Sequence, residues 1–338
     1  MKISISEHFN YSKLFKFVLP SIIMMIFTSI YGVIDGLFIS NYVGKISFAA
    51  VNLIMPILML FGAIGFMVGT GGSAIVAKTL GMGENKKANS YFSMLVYISL
   101  IFGIIIAIFG IIFMEDLSIL LGAEGELLEN AVLYGNVILI ALPAFILQNV
   151  FQSFMVTAEK PQLGLFITVL AGVTNIIFDF LLIAVFEMGI LGAGIATALS
   201  QFIGGGLPFI YFIRKNNSIL KLTKFKMDFK VLLKTCTNGS SEFLTNISMS
   251  VVNILYNFKL MEIAGDEGIA AYGVIMYVSF IFISIFIGYS IGTAPIISFN
   301  YGSGNSFELK EIPHNYNFTV FANNLYYCVK ISYHRLRL

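Results

Sequence analysis

Three carboxylates occupy positions where a carboxylate is expensive. Asp35, Asp179 and Glu242 each interrupt an otherwise uncharged apolar run long enough to cross a bilayer. An ionisable side chain at that depth costs about 2.5 kcal/mol or more, so such residues face the protein interior or a watery cavity and mark an ion or substrate path. No Lys or Arg lies in the runs that hold Asp35 and Asp179, which argues against a structural ion pair. Burial penalises the charged form of a carboxylate, and the chemistry that suits such a group is uptake and release of a proton or a Na⁺. The plainer reading is a protonated aspartate that only hydrogen-bonds a neighbouring helix.

Spacing adds to this. Tyr31 and Asp35 are four residues apart, as are Asn175 and Asp179, so each pair shares a helix face. Counted from the flanking loops, both aspartates lie in the outer half of the membrane, where they can face one another inside a bundle. Glu242, Asn246, Ser250, Asn253 and Asn257 form a polar stripe at intervals of 4, 4, 3 and 4; it either glues helices together or lines a cavity. Pro20 and Pro143 each remove a backbone hydrogen bond from a span and permit a bend. The glycines at 69–72 and 204–206 read as close helix contacts, because no G-x-x-x-x-G-K-[ST] sequence accompanies them.

The elements that position these residues follow from composition. Of 338 residues, 58% are hydrophobic and 11% charged, against about 25% charged in ordinary soluble domains. Mean hydropathy is +0.89. A soluble enzyme, a nucleic-acid binder and a disordered chain are all excluded. Charges bound eight hydrophobic runs, the first six between residues 16 and 214, the seventh from 235 to about 258 and the eighth from 268 to about 306. They read as helices, since they lack the alternation of barrel strands. Lys and Arg flanking the spans fall 14 to 2 in favour of the side that holds the N-terminus, which places that side in the cytoplasm. The apolar run after Lys16 is too long for a signal-peptide core and lacks its cleavage site, so the first span is retained. Cys236 and Cys328 are too few for a disulfide framework, and no metal-type Cys/His cluster occurs. Neither aspartate sits in the G-x-G-D context of an intramembrane protease, so no enzyme is expected. The net charge of +2 gives no field for nucleic acid.

A shift of 221 residues lays Gly44–Gly83 over Gly265–Gly304 with 11 identities in 40 positions, including Gly81-x-Gly83 over Gly302-x-Gly304. The interval holds six spans, so both copies enter the membrane in the same direction, as in transporters built from parallel repeats. The expected organisation is a six-helix lobe at 1–213, a basic cytoplasmic linker at 214–234, the first two helices of a second lobe at 235–306 and an aberrant polar tail at 307–338. This reading makes the chain a truncated relative of a twelve-helix ancestor.

The run Leu19-Pro20-Ser21, the stretch from Tyr31 through Asp35 and Asn41 to Gly44, then Ala49-Ala50 and Gly81-x-Gly83 together resemble the first two helices of the multidrug and toxic compound extrusion (MATE) family, its MepA-like branch in particular. The resemblance covers about residues 10 to 311. It implies an all-α polytopic membrane fold of two six-helix lobes. It also implies export of cationic amphipathic drugs across the bacterial cytoplasmic membrane in exchange for H⁺ or Na⁺, by a monomer with no other cofactor. On the same footing Asp35, Tyr31, Asn149, Asn175, Asp179 and Thr197 match the cluster that handles the coupling cation. Gln148 or Gln152 is the alternative to Asn149. Glu242 matches an acidic residue of the second lobe with a part in cation or substrate handling, and Pro20 matches the proline at which helix one bends. Two alternatives stay open: an inactive fragment of such an exporter, and a flippase for lipid-linked precursors.

Overall fold

The computed structural model describes residues 3–309, all helix and connecting loops. In chain order the helices are α1 (Tyr11–Phe38), α2 (Lys45–Gly81), α3 (Asn85–Ile112), α4 (Met114–Leu120), α5 (Gly125–Thr157), α6 (Pro161–Asp179), α7 (Gly189–Ile213) and α8 (Phe229–Ser303). Among the described residues, seven helical stretches are long and apolar enough to cross a membrane, the last being Ile281–Ser303. Spans one to six correspond to α1, α2, α3, α5, α6 and α7. The short α4 lies in the acidic connection after α3 and carries Glu115 and Asp116 in its first turn.

Spans seven and eight are one helical run in the structure. A straight helix of 75 residues would be about 110 Å long. Thr235, near its start, nevertheless lies against Gly71 of α2, and Phe299, near its end, lies against Gly81 of the same helix. The run therefore turns back on itself and flanks α2 with two arms. The arm that begins at Phe229 carries Glu242 and its polar stripe, and its polarity keeps it outside the seven apolar stretches. Helix α8 also begins inside the 214–234 stretch expected as a linker, capped by Asp228, whose Oδ1 accepts from the backbone N–H groups of Lys230 at 3.1 Å and Val231 at 3.2 Å. The tail from 310 onward, with Cys328, lies outside the described residues.

Two helices continue past their ordinary ends as π-helix: α1 through Ile39–Val43 and α6 through Phe180–Val185. Short π segments are rare and collect at functional sites. Here the two segments touch each other just beyond the aspartate-bearing turns. Gly44 then passes the chain directly into α2 at φ +119°, a backbone conformation that a side chain would strain.

The core of the first lobe gathers α2, α3, α5 and α7. Phe92 stands at its centre, with ring centroids 4.9 Å from both Phe154 and Phe212. Outward-facing Ile101, Ile104, Ile105, Ile108 and Ile112 give α3 an exposed apolar face, as a helix against lipid requires. In such surroundings helices associate by close packing rather than by expulsion of water. Gly205 accordingly brings α7 onto the Ala144 carbonyl of α5, and Gly103 brings α3 onto Pro143. α5 runs without a break through Pro143, and α1 runs through the buried Pro20.

The ends of α2, α5 and α7 meet the starts of α1, α3, α6 and α8 at one end of the bundle, which also holds most of the basic residues. The connection between α7 and α8 is pinned there. Lys221 N–H donates to Asn89 Oδ1 at 2.6 Å, Thr223 N–H to Ser93 Oγ at 2.8 Å, and Ser218 Oγ to the Ala158 carbonyl at 3.2 Å. The N-terminal segment forms a strap across the same end. Ile5 and Phe9 are buried in a second apolar cluster with Phe17 and Val18 of α1 and Ile291 and Ile296 of α8.

Candidate functional site

Helix α1 presents Tyr31 and Asp35, helix α6 presents Asn175 and Asp179, and helix α7 presents Thr197; α6 packs against both α1 and α7 in the first lobe. Asp179 is fully buried, Asn175 1% exposed and Asp35 7%. Asp35 faces Asp179, Thr197 and Asn175, and Asn175 Nδ2 donates to Thr197 Oγ1 at 3.4 Å. The i, i+4 spacing read from the sequence thus does place both pairs on inward faces, and the aspartates meet.

The meeting is electrostatically incomplete. An ionised carboxylate only accepts hydrogen bonds, so two of them face to face have nothing to exchange. Asp35 Oδ1, both Asp179 oxygens and Asn175 Oδ1 have no hydrogen-bond partner. A buried acceptor left in this state costs about 1–3 kcal/mol, and more when it is charged. A shared proton, or a small hard cation taking these oxygens as ligands, relieves the cost. The donor set is all oxygen, which suits H⁺ or Na⁺ and not a soft transition metal.

Asn149 does not join this group. It is 3% exposed, but its Nδ2 donates to the Gly62 carbonyl of α2 at 3.4 Å, so it serves the packing of α5 on α2. Its neighbour Gln148 takes the place expected for it, beside Tyr31, which in turn lies beside Asp35. The small residues explain how these bulky groups enter the core. A Cβ at Gly204 would fall 2.6 Å from Gln148 Cδ, and one at Gly172 would fall 2.8 Å from a ring carbon of Tyr31.

Sequence reasoning missed Tyr134. It is fully buried on α5, and its hydroxyl neighbours Thr197 and both aspartates. A tyrosine in an apolar run gives no periodic signal; its one clue is a polar tip in a span with no other duty assigned to it. Glu242 stands apart from the aspartates, half-buried on the first arm of α8. Asn246 Nδ2 donates to the Glu242 backbone carbonyl at 2.8 Å. Pro20 lies four turns of α1 before Asp35.

A bundle of membrane-length helices whose interior gathers unpaired carboxylates, with a repeat that enters the membrane twice in the same direction, is the architecture of a secondary transporter. The chain belongs to the MatE family, whose model matches residues 20–181 and 243–329. Its relatives include the multidrug export protein MepA of Staphylococcus saprophyticus, 29% identical over 310 residues, and that of Staphylococcus haemolyticus, 30% identical over 310 residues. Both alignments take in 90% of this chain and 68% of the relative. Among solved structures, a MATE protein in complex with MaL6 superposes with a TM-score of 0.84 at 23% identity, over 94% of this chain and 70% of that one. An outward-facing multidrug resistance MATE family transporter of the MOP superfamily gives a TM-score of 0.82 at 24% identity, over 94% and 70%. The fold is therefore the MATE fold, and the chain is a multi-pass membrane transporter of that family.

Proposed function

We propose that the chain is a cation-coupled antiporter that exports cationic amphipathic compounds across the bacterial cytoplasmic membrane by alternating access, with the basic end of the bundle in the cytoplasm. The observation that carries this reading is the facing pair Asp35 and Asp179, fully or almost fully buried with unpaired oxygens and no basic residue in the apolar runs that hold them. Such a pair takes up H⁺ or Na⁺ from outside. Asn175, Thr197 and Tyr31 hold the carboxylates in register, Pro20 lets α1 bend, and Glu242 serves cation or substrate in the second lobe. A ligand shifts a two-state equilibrium only through its differential affinity for the states. A carboxylate that must choose between the coupling cation and a cationic drug supplies that difference. The names of the staphylococcal relatives, multidrug export proteins, support drugs as the exported compounds.

The test is efflux of a fluorescent cationic dye from energised cells of a bacterial strain lacking its own exporters. Expression of the chain should lower dye accumulation relative to empty vector. Asp35→Asn and Asp179→Asn should each abolish this at equal membrane level, and collapse of the proton gradient in low-sodium buffer should separate H⁺ from Na⁺. Undiminished efflux in both variants overturns the coupling role, and no efflux by the parent chain shows that it does not export by itself.

A further inference from the structure

Between the aspartate pair and the basic end, α1, α5, α6 and α7 line a small, partly open cavity with room for about one water molecule. Most of its wall is apolar, with Met24 and Met155 among the lining residues, but Gln148, Gln152 and Thr168 also line it. Gln148 is 5% exposed, Gln152 4% and Thr168 4%. The Oε1 atoms of both glutamines have no hydrogen-bond partner. Two unpaired amide oxygens beside a space of this size are the condition under which a protein keeps a buried water, which needs two to four polar partners. A dry apolar core would leave each oxygen stripped of water with nothing to accept from.

The position of the cavity gives such a water a use. Gln148 belongs to both places: it lines the cavity, and it lies beside Tyr31, which lies beside Asp35. Gly164, another wall residue, is three positions from the start of α6 at the basic end, about one helical turn. Meanwhile the backbones of α2 and the second arm of α8 meet at Gly81 and Gly302 at that end, which closes the gap between these two helices there. We propose that Gln148, Gln152 and Thr168 hold water in this cavity, and that this water, reached through Tyr31, is the path by which protons pass from the Asp35–Asp179 pair to the cytoplasm inside the first lobe. One proton leaves a carboxyl group of the pair, moves over hydroxyl and water O–H groups, and one proton is released at the basic end. The amides keep their protonation state and orient the water, Oε1 accepting and Nε2 donating. The direction of proton flow rests on the coupling reading above, whereas the hydration of the cavity does not.

Radiolytic hydroxyl-radical labelling of the full chain in lipid nanodiscs, read by mass spectrometry, tests the hydration first. Met24 and Met155 should be oxidised, whereas Met114, equally buried and packed on Gly135, should stay inert. Gln152→Leu, with Thr168→Val as the second variant, should abolish labelling at Met155. Met24 and Met155 as inert as Met114, or a raised thermal midpoint in Gln152→Leu, shows a dry cavity and overturns the proposal. Protection of Met155 by added NaCl makes the occupant a cation and overturns it as well. In oriented vesicles, infrared detection of the carboxyl C=O band after a pH jump then tests the path. Gln148→Leu should slow proton arrival at the pair from the basic end and leave arrival from the opposite end unchanged; equal rates from both ends in parent and variant overturn the path. Dye efflux plays no part in these readouts, so failure of the transport reading is distinguishable from failure of this one.

Discussion

Gly81 lies against the carbonyl of Phe299 while Gly302 lies against the carbonyl of Lys78, and the same 221-residue shift carries Gly81 onto Gly302 and Lys78 onto Phe299. The two contacts are one contact seen twice, related by the internal repeat. Gly71 against Gly239 and Gly292 against Val18 follow the same shift. A repeat read from scattered identities is therefore realised as an approximate two-fold relation between α2 with α1 and the two arms of α8, with backbone contacts at Gly81 and Gly302 at the basic end as close as those at Gly71 and Gly239 deeper in the bundle. A Cβ at Gly81 or Gly302 would fall 2.1 or 2.0 Å from a backbone oxygen. Neither carbonyl can move without its helix.

Alanine at either glycine should therefore separate the two helices by opening the basic end. Gly81→Ala and Gly302→Ala are each expected to lower stability by about 1–3 kcal/mol, because the overlap is with backbone rather than with the end of a flexible side chain. Maleimide labelling of a cysteine placed at Ser303 from the basic side should become faster in both variants. Since the contacts are equivalent, the two effects should be similar. A large effect at one glycine and none at the other would show that the lobes do not close symmetrically.

How much of this was legible beforehand depends on what each residue contributes to a pattern. Spans one to six are bounded by charges such as Lys45, Lys78 and Glu187, and lipid leaves the backbone no option but helix, so they read clearly. The meeting of Asp35 with Asp179 was legible because two i, i+4 polar pairs fell at similar depth. The turn-back of α8 was not: the charged stretch from Lys259 to Glu267 looks like a loop, yet the chain stays helical through it. Gln148 and Tyr134 were harder still. An amide or a phenol hardly changes the hydropathy of a span, and choosing Gln148 over Asn149 required knowing which faces α1 and which faces α2. The strap was invisible because Ile5 and Phe9 sit in a short polar terminus whose partners, Glu159 and Glu308, are about 150 and 300 residues away.

The aspartate pair should be a burden on the fold. Buried like charges disfavour each other's ionised form, and neither side chain has a donor directed at its free oxygens. Asp179→Asn replaces one acceptor-only group with an amide whose Nδ2 can donate to Asp35. The variant is expected to melt higher than the parent in detergent, measured by circular dichroism, with lost dye efflux. A lower midpoint would mean that the pair is satisfied in the parent and that its oxygens hold a ligand tightly enough to stabilise the chain.

The connection between α7 and α8 should owe its order to Asn89 more than to its own sequence. One side chain holds it from both sides, Oδ1 accepting from Lys221 N–H at 2.6 Å and Nδ2 donating to the Ile219 carbonyl at 3.4 Å. Asn89→Ala removes both bonds to the connection at a half-exposed site, where water replaces them at a net cost of about 1 kcal/mol. Hydrogen exchange of peptides covering 217–224 should accelerate, with the helices of the first lobe unchanged. If the lobe is destabilised as well, the connection is part of its core.

The N-terminal strap presents the sharpest case of a few polar atoms holding a large conformational choice. Glu159, in a left-handed backbone conformation at φ 59°, turns its carboxylate inward, where Oε1 accepts from Ser4 Oγ and from the Ile5 N–H at 3.0 Å. At the other end of the strap, Glu308 is 3% exposed; it pairs with His8 Nδ1 and accepts from the Phe9 N–H at 3.5 Å. Glu159 belongs to the loop between α5 and α6, Glu308 to the segment after α8, so the strap ties the first lobe to the second arm of α8. Glu159→Ala leaves the Ile5 N–H without its acceptor and should cost about 1–3 kcal/mol. Hydrogen exchange over residues 3–9 should rise sharply, along with exchange at the end of α8. Glu159→Gln keeps the acceptor and should lose only part of the protection. If Ala and Gln behave alike, the charge of Glu159 rather than its oxygen holds the strap, and His8 with Glu308 then carries the remaining contact alone.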